Sequence, residues 1–201
     1  MKQLLLTIFT ISTFSLFAQK QCDYSTNVVD SIGSYKVTKE YMISEKNFAG
    51  TSSYIFFSLA LTDGVPTLNI QLIQKSKGFI KANCFDKNSK LFLQLNDGNI
   101  ISLIHKDQEN CGTLLRDDKG FDNRVTTGEF YFLKDSFEKL KSSPLSLMRI
   151  KYLTDLEDYI IKKEFTSELD NKVYQPENYF IKNIMTIRNL YLLLYCLIFE
   201  P

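Results

Sequence analysis

Residues 91–103 read LFLQLNDGNIISL. Mostly apolar runs flank Asp97-Gly98, a dipeptide suited to the positive φ angles of a two-residue type I′ loop. The stretch therefore predicts an antiparallel hairpin in which Leu95 faces Ile100 and the numbers of paired residues add to 195. In that register Leu91, Leu93, Leu95, Ile100 and Ile104 share one face, and Phe92, Ile101, Leu103 and His105 the other. Apolar residues on both faces point to a sheet packed on two sides or strongly curved.

Cys84 and Cys111 obey the same sum, so an uninterrupted ladder sets them opposite each other, within bridging range. A Cys84–Cys111 disulfide is expected on that arithmetic, and the alternative is a pair of buried free thiols. The polar DKNSK and KDQEN segments between the strands and the cysteines favour looping out.

The same patterning extends outward. SYKVTKEYMISEK (34–46) reads as a strand with one exposed face. YIFFSLALT (54–62) puts Ile55, Phe57, Leu59 and Leu61 on one face, and after Asp63-Gly64-Val65-Pro66 the run TLNIQLIQK returns with Leu68, Ile70 and Leu72. RVTTGEFYFL (124–133) is a further strand, with Gly128 marking a bulge. PLSLMRIKYL and DYIIKKEF form another pair, while KSKGFIKANCFDKNSK (75–90) reads as a solvated strand-and-loop face.

Two helices are expected. In the first, near 135–142, Asp135 and Glu138 have capping-box spacing, and Phe137 and Leu140 are the apolar contacts. The second begins at Pro176 and Glu177 and runs to about 199, with Phe180, Ile184, Ile187, Tyr191, Leu194 and Ile198 on one stripe. Beyond Arg188 the chain is apolar all round, too short to span a bilayer alone. Residues 189–199 read as a buried core helix, an interfacial or partner-binding tail that contacts the membrane, or an irregular terminus. The fold class is α+β, mainly antiparallel β, sandwich-like or as a curved sheet, with a C-terminal helix over one face.

Location follows from the first residues. Lys2, the uncharged and mostly apolar Leu4–Phe17 and the small Ala18 form a signal-peptide pattern for residues 1–18, leaving a single β-rich domain over 19–201. Gln19-Lys20-Gln21 before Cys22 is not a lipidation context. Removing the segment takes the formal charge from +1 to zero, which supplies no field to attract nucleic acid. No N-x-[ST] sequon occurs, and the signal reads as bacterial. An oxidising periplasmic or extracellular location allows the cysteines to pair.

Chemistry is sparsely signalled. His105, the single histidine, is followed by Asp107, and i and i+2 share a strand face, so a His–Asp contact is sterically open and a hydrolase is one reading. No nucleophile elbow, zinc motif or Gly-rich phosphate loop accompanies it, and a histidine at a strand end is the simpler reading. Asp117-Asp118 with Gly120 and Asp122 loosely resembles a calcium loop but lacks the EF-hand order and reads as a turn. Carboxylates for paired acid–base work exist, among them Glu129, Asp155, Glu157 and Asp158, as in any chain this long. No catalytic, cofactor or metal-ligating set is assigned, and no cofactor is expected. Tyr35, Tyr41, Tyr54, Phe121 and Tyr131 are the aromatics available for surface contacts.

Cys-Asp-Tyr at 22–24, LFLQLNDGNIISL, the KDSFEKLKSS helix and SLMRIKY with Arg149 together resemble small exported bacterial β-rich domains. The resemblance covers roughly residues 20 to 165 and implies no established activity or site. The functional expectation is an envelope protein that binds another protein or a glycan without catalysis. The alternative is a membrane-associated structural protein held by residues 189–199.

Overall fold

The computed structural model describes residues 24–184. The signal-peptide pattern, Cys22, Cys196 and the apolar segment 189–199 lie outside the described residues. The chain begins with β1 (Tyr24–Val29), β2 (Ser34–Thr38), β3 (Tyr41–Phe48), β4 (Thr51–Thr62) and β5 (Val65–Ser76). After an irregular stretch come β6 (Lys90–Leu95), β7 (Ile100–His105), β8 (Thr113–Arg116) and β9 (Asp122–Phe132). Helix α1 (Ser136–Ser142) leads into β10 (Leu145–Lys151) and β11 (Leu156–Ile160). A small hairpin, β12 (Phe165–Thr166) with β13 (Val173–Tyr174), a 3-10 turn (Pro176–Asn178) and helix α2 (Tyr179–Ile184) complete it. The architecture is α+β and mainly antiparallel.

One antiparallel sheet runs β1-β2-β4-β5-β9-β7-β6-β10-β11, with β3 added to β4 and β8 to β9. The long β4 divides its outer edge: its first half pairs with β3 and its last residues with β2. The predicted single strand over 34–46 is therefore two strands, separated at Lys39-Glu40. Where neither partner reaches Leu59, its N–H donates to Thr38 Oγ1 at 2.9 Å. The sheet curls on itself, since Lys46 of β3 sits 4.5 Å over the ring of Tyr159 in β11, near the other end of the strand order. Inside the curl one core joins Ile43, Phe57, Ile70, Leu93, Phe130 and Met148. Tyr179 and Phe180 of α2 pack against Phe57 there, with ring centroids 5.5 and 6.1 Å away.

The inward face expected for β4 and β5 is observed: Ile55, Phe57, Leu59, Leu61, Leu68, Ile70 and Leu72 are all buried. Asp63-Gly64 between them is a two-residue loop with both φ angles positive, +49° and +81°, the type I′ signature. The hairpin at 91–103 turns differently. Asp97 is not left-handed, and only Gly98 is, at φ +86°. Gly98 N–H donates to Leu95 O and Leu95 N–H to Asn99 O, which closes a three-residue Asn96-Asp97-Gly98 loop with a glycine bulge. The Asp97 carboxylate accepts the backbone and side-chain N–H of Asn99, both at 2.9 Å. The loop is held from outside as well, by Asn96 N–H on Pro144 O and Asp97 N–H on Ser143 Oγ.

One added loop residue shifts the register so that Leu91 faces Leu103 and Gln94 faces Ile100. Because side chains alternate, that shift exchanges the faces of the return strand. Ile101, Leu103 and His105 join Leu91, Leu93 and Leu95 inside, and Ile100 and Ile104 lie outside. The Cys84–Cys111 disulfide forms all the same. Residues 105–109 contain one residue more than 86–89 opposite them, so the pair Phe85–Asn110 regains the original sum through reciprocal backbone bonds of 2.8 and 3.0 Å. Two single-residue irregularities cancel at the bridge.

Two further expectations change. Gly128 is not a bulge, for β9 keeps unbroken register with β5 and Gly128 lies opposite Ile70. A Cβ there would stand 2.9 Å from the rings of Phe85 and Phe130, so the glycine makes room for aromatic packing. Asp135 precedes α1 in the left-handed conformation, φ +64°, and makes no side-chain cap, so the capping box is absent. Glu138 pairs instead with Lys141, while Leu140 is fully buried and the Phe137 ring packs at a tilt against Phe132, centroids 4.4 Å apart.

Candidate functional site

Alternation in β4, β5 and β9 turns a second set of side chains away from the core. Phe56, Gln71 and Thr127 lie directly opposite one another across three strands, and Ser58, Asn69 and Glu129 form the next row. Neighbouring strands are about 4.8 Å apart, and successive outward residues about 6.8 Å apart along a strand. These two rows are the floor of a groove of about 400 Å³. Ser25, Tyr35, Val37 and Glu40 from the β1–β3 region line it, and His105, Lys106, Gln108 and Asn110 approach from the end of β7.

Part of this lining is already committed. Asn110 Nδ2 donates to Thr127 O and Oγ1, and its Oδ1 accepts from Gly112 N–H. Ser25 Oγ donates to Val37 O and Thr38 O. Lys106 Nζ lies 2.9 Å from Glu129 Oε2, and this contact raises the lysine above its ordinary pKa. Asn69, Gln71, Gln108, Ser58 and Glu40 show no side-chain hydrogen bond among the described residues. With Glu129 balanced by Lys106, Glu40 leaves the groove one unit negative.

His105 is 7% exposed at the end of β7, packed between Phe85 and Phe130 with ring centroids 5.1 and 5.0 Å away. Its Nδ1 is 3.0 Å from Asp86 O. A carbonyl only accepts, so Nδ1 carries the proton and Nε2 is an acceptor. The strand ends at His105, Asp107 is exposed in the following loop, and no hydrogen bond joins the two. The ring is thus oriented by a backbone carbonyl rather than by a carboxylate.

Burial lowers the His105 pKa below its ordinary 6.5, with Asp86, Glu129 and Asp107 opposing more weakly. The sign for stability follows. Above the unfolded-state value both states are neutral, and below it the unfolded chain binds the proton first, so stability falls as pH drops from about 7 toward 5. The urea midpoint is expected to decrease between pH 7.5 and 5.5, and His105→Gln is expected to flatten that decrease. A drop of equal size in the variant would assign it to carboxylates.

The remaining sequence candidates are structural. Tyr41 OH accepts from Gln175 N–H at 2.7 Å, and its ring packs on Tyr174 and Tyr179. Phe121 lies under Lys75 and Lys77. Tyr54 and Tyr131 are half-buried strand residues, and Tyr35 alone of the five lines the groove. Asp117 accepts from Lys75 at 2.7 Å and from Lys119 and Phe121 N–H, which brings its pKa down to about 2. That is the expected turn. Asp155 and Asp158 face Lys81 and Arg149, the latter through a two-pronged contact of 2.6 and 2.7 Å. Glu157 accepts from Asn83 and Tyr159.

Asn69, Gln71, Gln108, Ser58 and Glu40 were not singled out by sequence. Asn69 and Gln71 are visible as the polar members of TLNIQLIQK, but alternation says only that they face outward. Whether an outward face is bare or forms a groove depends on which distant segments stand beside it. In comparisons with known proteins, no protein-family model, no curated protein and no solved structure matches this chain.

Proposed function

We propose that this protein is exported to the bacterial envelope, in the periplasm or beyond, and acts there as a non-catalytic binding module that seats its partner in the β4–β5–β9 groove. The observation that carries this reading is the gathering of Asn69, Gln71, Gln108 and Glu40, unpaired among the described residues, around one concavity. A polar group without a partner in the folded protein is available to a ligand, whereas a satisfied one must first be released. The Cys84–Cys111 bridge supports export, since such bridges persist in oxidising compartments. The backbone-held His105, without an orienting carboxylate, supports binding over hydrolysis. Among the described residues no helix is long and apolar enough to cross a membrane.

The test is co-sedimentation of the purified protein with envelope fragments of its own source, using Thr127→Trp to fill the groove from an exposed position. Wild type is expected to pellet and Thr127→Trp, which gives up the Asn110 Nδ2 bond to Thr127 Oγ1 but keeps the one to Thr127 O, to stay in the supernatant while still folded by far-UV circular dichroism. Equal pelleting of both, or of neither, would refute the groove reading.

A further inference from the structure

Resting on that reading, we infer that the ligand of the groove is a neutral glycan segment, held by the side-chain amides of Asn69, Gln71 and Gln108 beside the rings of Tyr35 and Phe56. The volume, about 400 Å³, is near the lower end for small-ligand sites and suits a chain of few rings. A side-chain amide presents donors and an acceptor together, and a hydroxyl does the same on one atom. Amides set along two floor rows therefore satisfy a ligand that carries hydroxyls around a ring, and each hydroxyl satisfies the amide in return. Tyr35 and Phe56 add flat apolar faces for the C–H side of such a ring.

The alternatives fit less well. An apolar ligand would cover these amides without replacing their water, which leaves each covered amide unpaired. An anion meets Glu40 and Glu129, while the one lysine of the lining is held by Glu129. An extended peptide needs a free strand edge for main-chain pairing. At the groove β5 is paired on both sides, the outer side of β9 is met by Lys106 N–H on Glu129 O and Asn110 Nδ2 on Thr127 O, and that of β4 by β3 and by Thr38 Oγ1 on Leu59 N–H, which leaves no run of free main-chain groups for a peptide.

The experiment is a glycan array of neutral, amino, sulfated and uronic-acid oligosaccharides probed with the purified protein. Calorimetric titration of the best neutral hexasaccharide follows. Neutral glycans are expected to bind, Asn69→Ala and Gln108→Ala each to weaken binding at least tenfold, and Gln94→Ala, exposed on β6 away from the groove, to leave it unchanged. Gln108 is in an exposed loop, so its variant tests the site even where Asn69→Ala is poorly folded. Binding confined to sulfated or uronic-acid glycans, or neutral binding indifferent to both variants, would overturn the inference. Groove-dependent retention on envelope fragments with no neutral glycan bound would remove the sugar assignment and leave the groove reading standing. Retention indifferent to Thr127→Trp would remove both.

Discussion

Phe85→Ala is expected to destabilise the protein by about 3–5 kcal/mol, the range for emptying a fully buried phenylalanine site. Phe85 has no exposed surface and stands in the irregular stretch between β5 and β6. Its ring is 5.1 Å from His105, 5.5 Å from Phe130 and 5.1 Å from Tyr152, so it joins β7, β9 and the turn after β10. It also rests against Gly128, whose missing Cβ is the space it occupies. Three of these neighbours are aromatic rings that cannot fold inward as a flexible chain would, so the cavity is expected to stay largely open. Urea unfolding followed by far-UV circular dichroism gives the number. A loss below about 1 kcal/mol would mean that the 77–89 stretch does not close the core.

Replacing both cysteines in Cys84→Ser/Cys111→Ser is the second large effect. The bridge spans a sequence separation of 27 residues, and the chain-entropy relation gives about 3.5 kcal/mol for a loop of that size. The bridge also fixes the end of the loop segment that carries Gln108 and Asn110, where Arg124 Nη1 donates to Cys111 O at 2.9 Å. Loss of stability is therefore expected together with weakened ligand binding, because Gln108 and Asn110 belong to the same segment. Chemical unfolding with and without reductant measures the first, and the wild-type protein should lose as much on reduction as the variant loses permanently. A variant as stable as the oxidised wild type would show that the Phe85–Asn110 backbone pair alone holds the segment.

The inward faces of β4 and β5 were legible because period-two patterning marks one side of a paired strand, but it did not show that Ser58, Ala60 and Thr67 on the opposite side are buried as well. The disulfide was legible too, although the two-residue loop assumed for 91–103 is a three-residue one. The expected pairing survived because an extra residue in 105–109 offset the extra loop residue. Asp63-Gly64 and Asp97-Gly98 show why the loop itself was not: the same dipeptide makes a type I′ turn in one place and ends a three-residue loop in the other. Asp97 differs in having Asn99 to bind and Ser143-Pro144 to lean on. Those last partners are far along the chain.

Sequence alone determined what short-range physics controls: the strand-rich α+β class, the inward faces of β4 and β5, the helix near 135–142 and the two cysteines within reach of each other. Tertiary structure alone decided which face of β7 is inside, that Phe85 and Gly128 are packing partners and that Asn69, Gln71 and Gln108 surround one groove. Alternation specifies two faces of a strand, but only the neighbours that reach it from elsewhere in the chain specify what each face meets.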